Sequence, residues 1–309
     1  MAKSSESEPT ASGISLDARQ NRPLRGIALT VIGIGCITVN DALMKSVIDD
    51  HPVSQAIFVR GMFAFLPILF IVLRAGGLSA LRVHSVSLQL WCALLLTIPI
   101  FLFIYSLSQL PLSIATIIFF TNPLFVTLLA PWFIGEGFRW RRGLAVMVGF
   151  IGTVLIVSPG TAHFEWIFFG PLAVAFFSAA RDLVVRKALA RETSASLLFY
   201  SSTLVTVLAA ATLPLDTAVF GWKPLSHSDV GALALTSCMF CLGIYLMTEG
   251  LRFAQATLLS LYKYSAIIWA LLLGYLFWDE IPTTQTWLGA ALIVASGLYT
   301  IMRSKPAEE

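Results

Sequence analysis

Residues 85–135 read SVSLQLWCALLLTIPIFLFIYSLSQLPLSIATIIFFTNPLFVTLLAPWFIG and contain no Asp, Glu, Lys, Arg or His. A helix that crosses a bilayer needs about 20 mostly apolar residues. This stretch is long enough for two such helices, and Gln109-Leu110-Pro111 supplies the turn between them. The rest of the chain agrees. Of 309 residues, 57% are hydrophobic and only 12% charged, and the mean hydropathy is +0.84. Globular domains carry about 25% charged residues. The 20 Lys and Arg with 17 Asp and Glu could not cover the surface of a soluble protein this long. The chain reads as an integral membrane protein. Alternating ten-residue patterns, the mark of an outer-membrane barrel, are absent, so the class is all-α. A net charge of +3 gives no reason to expect nucleic acid. The four cysteines all lie in apolar stretches and offer no disulfide framework.

Working outward, ten apolar runs emerge: Leu24–Met44, Ser54–Leu73, Ser87–Ser108, Leu112–Phe133, Gly143–Val157, Trp166–Ala180, Ala195–Leu215, Val230–Glu249, Ala254–Phe277 and Thr284–Met302. Residues 1–23 are polar and rich in Ser and Glu, which predicts a disordered tail and no cleavable signal peptide. Orientation follows from Lys and Arg near the span ends. With the N-terminus cytoplasmic, the inner side holds Lys3, Arg19, Arg22, Arg25, Arg74, Arg82, Arg139, Arg141, Arg142, Arg181, Arg186, Lys187, Arg191, Arg252, Arg303 and Lys305. The outer loops hold Lys223 alone. Both termini are therefore expected in the cytoplasm, which an even number of spans satisfies.

The two halves repeat. Asp41-x-x-x-Lys45 closes the first span and Asp182-x-x-x-Arg186 the sixth. Phe58-Val59 in span two matches Phe199-Tyr200 in span seven. Leu128-Leu129…Phe133…Glu136 matches Leu272-Leu273…Phe277…Glu280, after which Gly143 and Gly289 open the closing spans. A five-span repeat is odd-numbered, so the second copy enters the membrane inverted. Inverted repeats typify secondary transporters, which hold cargo near the midplane where the halves meet. The expected domains are the tail 1–23, a first repeat 24–158, a second repeat 159–303 and a cytoplasmic end 304–309.

On these residues the chain resembles the drug/metabolite transporter superfamily, in its ten-helix EamA branch, over essentially all of Leu24–Met302. Leu112–Gly152 and Ala254–Gly297 carry the resemblance: each has small residues near the start of a span, a terminal Glu and a Gly-containing closing span. Asn40-Asp41-Ala42-Leu43-Met44-Lys45, Phe58-Val59-Arg60 and Tyr262-Lys263-Tyr264 resemble S-adenosylmethionine and riboflavin carriers of that branch. The resemblance implies a secondary transporter working by alternating access in the cytoplasmic (inner) membrane and importing a vitamin- or cofactor-like metabolite. Export of amino acids or related metabolites is the alternative. An intramembrane enzyme is remote, since Asp41 with Arg60 lacks a nucleophile. A channel is remote too, since it needs rings of like residues around a pore. The implied partners are a small-molecule cargo and the lipid bilayer; homodimerisation stays open.

Ionisable groups in hydrocarbon are costly and mark function by default. Lys263 falls about 13 Å inside span nine, near the midplane, where it either faces cargo or pairs with Asp41 or Glu249. Arg60 and Asp41 fall at similar depth on neighbouring spans, as a structural pair or one side of a gate. Glu249 is either a proton-responsive carboxylate or the i,i+3 partner of Arg252. Tyr262, Tyr264, Tyr105 and Asn122 are the candidate cargo contacts beside Lys263. Helical phase keeps Tyr262 and Tyr264 off one face. Glu136 and Glu280 are expected to satisfy a turn or cap the next helix. Cys238-x-x-Cys241 lacks a His in any span to complete a metal site. No phosphate-binding loop is present, and no cofactor is expected.

Overall fold

The computed structural model describes residues 23–134, 140–157, 166–254 and 256–302. The tail before Pro23, Glu136 and residues 303–309 lie outside them. The first three spans are α1 (Pro23–Ile48), α2 (Val53–Arg74) and α3 (Val86–Leu107). Span four is two helices, α4 (Leu112–Phe119) and α5 (Asn122–Ile134), and α6 (Trp140–Val157) closes the repeat. The second repeat runs α7 (Phe169–Ala188), α8 (Ser194–Phe220), α9 (His227–Phe253), a broken span nine of α10 (Ala256–Lys263) and α11 (Ser265–Trp278), then α12 (Thr284–Met302). Among the described residues there is no strand. Large apolar side chains such as Leu66, Phe70, Trp132, Ile268 and Leu276 point outward. That suits lipid rather than water, since lipid tails are as apolar as Leu.

Span four breaks for a readable reason. Pro123 lacks an N–H, and the residues before a proline avoid the helical region. Here Thr121 N donates to Ile118 O at 3.0 Å and Leu124 N to Thr121 O at 2.9 Å, a tight 3₁₀-like step. Span nine breaks without a proline. Ser265 Oγ donates to the Tyr262 carbonyl at 2.7 Å and Ile267 N to the Tyr264 carbonyl at 3.1 Å. By the repeat offset Phe119 and Lys263 are equivalent, and each is the last residue of its first half-helix.

The repeats interlock: α1 lies on α9 as α7 lies on α3, while α2 pairs with α8 and α6 with α12. Glycines set the closest of these crossings, because small residues let backbones approach. A Cβ on Gly33 would sit 2.9 Å from the Gly243 carbonyl oxygen, and one on Gly243 would sit 2.8 Å from the Gly33 carbonyl oxygen. A backbone atom cannot swing aside as a side chain can. Gly35, on the same helix, has nothing within 4 Å of its virtual Cβ. Gly243→Leu is therefore expected to lose most folded yield in detergent, since even modest overpacking costs about 1–3 kcal/mol. Gly35→Leu should elute and melt like wild type. Equal tolerance of both would refute this account of the crossing.

Several span ends differ from the sequence reading, span seven among them, since α8 runs past Leu215 to Phe220. The sixth span was expected to stop at Ala180, but α7 continues to Ala188 and carries Arg181 and Asp182 inside the bundle. Arg181 is only 7% exposed, so it does not belong with the inner-loop charges. Spans one and eight likewise run on to Ile48 and Phe253.

Candidate functional site

Where the two broken spans meet α1, α2, α3, α7 and α9, a cavity of about 130 Å³ remains. Its walls are largely apolar, with Leu96, Ile100, Phe103, Phe119 and Ile244 among them. Five ionisable side chains also line it: Asp41 from α1, Arg60 from α2, Arg181 and Asp182 from α7, and Lys263 from α10. Each is held differently. Lys263 Nζ donates to Asp182 Oδ2 in a buried ion pair. Arg60 Nη1 donates to Asn40 Oδ1 at 3.4 Å, and Asn40 Nδ2 donates to Asp41 Oδ1 at 2.9 Å. The guanidinium of Arg60 also lies 4.5 Å from the centre of the Phe240 ring, where the ring face attracts a cation. Arg181 has no such support: its Nε is buried without a hydrogen-bond partner.

The repeat explains the arrangement. Asn40-Asp41 on α1 and Arg181-Asp182 on α7 occupy equivalent positions, so each repeat contributes one carboxylate to the cavity. A cation from another helix approaches each, Arg60 in one half and Lys263 in the other.

The expected site residues separate accordingly. Lys263, Asp41 and Arg60 come together. Lys263 pairs with Asp182, not with Asp41 or Glu249, and Asn40 stands between Asp41 and Arg60. Tyr264 is buried with its ring 5.5 Å from that of Phe120, and its hydroxyl has no partner. Tyr262 is half-buried and does not line the cavity. Asn122 donates to the Ala175 carbonyl at 3.0 Å, tying the span-four break to α7. Tyr105 is 55% exposed and lines a separate groove of about 590 Å³ with Asp49, His51 and Lys223. Glu249 pairs with Arg252 at 3.2 Å, one turn along α9 and away from the cavity. The sequence reading did not place Arg181, Asp182 or Phe240 in the site. The Asp41/Asp182 match was the signal that could have found the first two.

A second cluster closes the end of the bundle where α1 finishes. Glu280 Oε1 accepts from Lys45 Nζ at 2.7 Å and from Leu112 N at 2.9 Å. Its Oε2 accepts from Ser113 N at 3.1 Å and Ser113 Oγ at 2.9 Å. The carboxylate caps α4, a helix of the other repeat, rather than its own next helix as the sequence suggested. The backbone aims it there. Asp279 takes a left-handed φ of 50° and its N–H donates to the Tyr275 carbonyl at 3.1 Å, an αL cap on α11, while Glu280 N reaches the Gly274 carbonyl at 3.1 Å. A Cβ on Gly274 would lie 2.7 Å from Glu280 Oε2, so that glycine leaves room for the carboxylate.

Comparison with known proteins agrees with this architecture. The profile of the EamA-like transporter family matches twice, over residues 24–158 and 165–302. An S-adenosylmethionine uptake transporter of Rickettsia bellii is 26% identical over 91% of this chain and 95% of its own. A pseudopaline exporter of Pseudomonas aeruginosa is 25% identical over 88% and 94%. A riboflavin transporter of Vibrio cholerae is 25% identical over 90% and 93%. One solved structure superposes with a TM-score of 0.65 at 18% identity, covering 91% of this chain and 99% of the other, a likeness of fold alone.

Proposed function

We propose that this chain, which belongs to the EamA-like transporter family, carries a small organic metabolite through the central cavity by alternating access. The observation that carries this reading is the convergence of five ionisable side chains from four helices on one buried cavity. Charges placed so deep are costly unless they meet a partner or a substrate. The cavity sits at the breaks of spans four and nine, and irregular backbone at membrane depth is tolerated where it lines such a space. Its volume is well below the roughly 300–1,000 Å³ of a ligand pocket. A metabolite of ordinary size therefore fits only if the surrounding helices move apart.

Likeness to relatives named for S-adenosylmethionine uptake and riboflavin transport favours, as the first reading, uptake of such a compound across the cytoplasmic membrane. Export is the second reading, favoured by the likeness to the pseudopaline exporter. Purified protein should be stabilised by one of these cargoes, by about 2.7 kcal/mol at 100 times Kd. Cells expressing it should accumulate that labelled compound, whereas inverted vesicles should do so if it exports. Absence of any shift across flavins, S-adenosylmethionine and amino acids would count against the cavity as a cargo site.

Orientation forms part of the same proposal. Without Arg181 the positive-inside count still stands at fifteen against Lys223 alone, which favours cytoplasmic termini. Ser79 and His227 are both exposed, at opposite ends of the bundle. In a cysteine-free background, His227→Cys should react with an impermeant thiol reagent added to intact cells, and Ser79→Cys should not. The reverse pattern would invert the topology.

A further inference from the structure

We infer that Arg181 is a carboxylate-binding residue, and that the cargo is therefore a zwitterion bearing a carboxylate beside a cationic group. The inference rests on the reading of the cavity as the cargo site and says what chemistry that site selects.

The case begins with how each cavity charge is used. Asp182 is committed to Lys263, and Asn40 links Arg60 to Asp41. Arg181 alone has no hydrogen-bond or ion-pair partner among the described residues, although it is 93% buried and lines the cavity. A guanidinium does not deprotonate in proteins, so it cannot escape the cost of burial by becoming neutral. What it lacks must come from elsewhere. The hydroxyl of Thr116, on the lining from α4, is also buried without a partner. Two unsatisfied donors thus face one small space.

The planar fork of Arg matches a carboxylate with two parallel hydrogen bonds. The count of charges limits the ligand further. Arg60, Arg181 and Lys263 stand against Asp41 and Asp182, which leaves one positive charge in excess. A carboxylate meets that excess locally, at Arg181, rather than through the net charge of the whole cargo, while a phosphate dianion would also face both aspartates. Asp41, held only by Asn40 through a hydrogen bond, keeps lone pairs for the cationic part of the same cargo. An α-amino acid moiety fits this pattern. A flavin ring could offer Arg181 carbonyl acceptors but no negative charge and no carboxylate fork to match the guanidinium.

The test is equilibrium binding by the full-length protein in lipid nanodiscs, with S-adenosylmethionine, its decarboxylated analogue and riboflavin as probes. Wild type should bind S-adenosylmethionine about ten- to a hundred-fold more tightly than the decarboxylated compound, the range expected for hydrogen bonds to a charged group. Arg181→Gln should remove that preference. Arg181→Lys, which keeps the charge and loses the fork, should retain only part of it and serves where the Gln variant does not fold. A merely structural arginine would weaken both probes equally. Equal affinity for the pair, binding of riboflavin or the decarboxylated form alone, or no binding of any probe to wild type overturns the assignment. So does a preference that survives in Arg181→Gln. Ile100→Trp, which fills the cavity, separates the two levels of the argument. If it blocks binding while Arg181→Gln keeps the preference, only the role of Arg181 falls. If it leaves S-adenosylmethionine binding intact, the cavity reading falls as well.

Discussion

Asp182→Asn is expected to be among the most damaging single substitutions in this chain. Removing one member of a buried ion pair strands the other and typically costs about 3–5 kcal/mol. Here the stranded group would be Lys263, only 6% exposed, with Arg181 beside it. The cavity would then hold three cations against Asp41 alone. Lys263→Met should hurt less, because Arg181 lies next to the orphaned Asp182 and the cavity charges then balance. The double variant Asp182→Asn/Lys263→Met should recover much of the loss, since neither charge remains to be desolvated. Thermal unfolding of the four proteins in one detergent gives the coupling energy directly. Additive losses would show that the two side chains act independently. A Lys263→Met protein less stable than Asp182→Asn would refute the proposed role of Arg181 as a nearby compensating charge.

The spans were legible because lipid imposes one simple requirement, a run of apolar residues long enough to cross. The same rule hid part of the site. A hydropathy window closes a span at its first charges, so Arg181 was counted with the inner-side charges and Asp182 put at the closing edge of span six, although the helix continues for two more turns and carries both inside the bundle. The internal repeat held the correction. Asp41 was read inside the membrane, and its equivalent Asp182 follows it there. The break in span four could be read from Asn122-Pro123, whereas the break after Lys263 has no local signal and shows only through the same symmetry. Tyr105 and Glu249 were chosen by residue type within a span. Type does not tell which face of a helix meets the cavity and which meets lipid or solvent; only packing decides that. Glu280 was read as a turn residue because its partners, Lys45, Leu112 and Ser113, lie more than 160 residues away, beyond any local pattern.

That distant tie sets the second large effect. Glu280→Ala should destabilise the protein by about 2–4 kcal/mol, because it uncaps α4 and leaves the ammonium of Lys45 without its counter-charge. That ammonium would then be held only by the Leu110 carbonyl and the Trp278 ring. Lys45→Met should cost less: Glu280 would still accept from two backbone amides and the Ser113 hydroxyl. The contribution should also depend on pH. Burial alone would raise the Glu280 pKa, but the hydrogen bond from Lys45 and those from the Ser113 and Leu112 amides outweigh it. The pKa consequently lies below its ordinary 4.5. A carboxylate whose pKa is depressed by folding stabilises fully above its unfolded value, and that stability is lost as pH falls through the folded one. Wild type should therefore lose stability as pH drops below about 4.5, the ordinary value for this group. Glu280→Gln, with nothing to titrate at this position, should lose less over the same range. Parallel pH profiles for the two proteins would remove Glu280 from the account. A Lys45→Met variant as unstable as Glu280→Ala would show that the ion pair, and not the cap on α4, holds this end of the bundle.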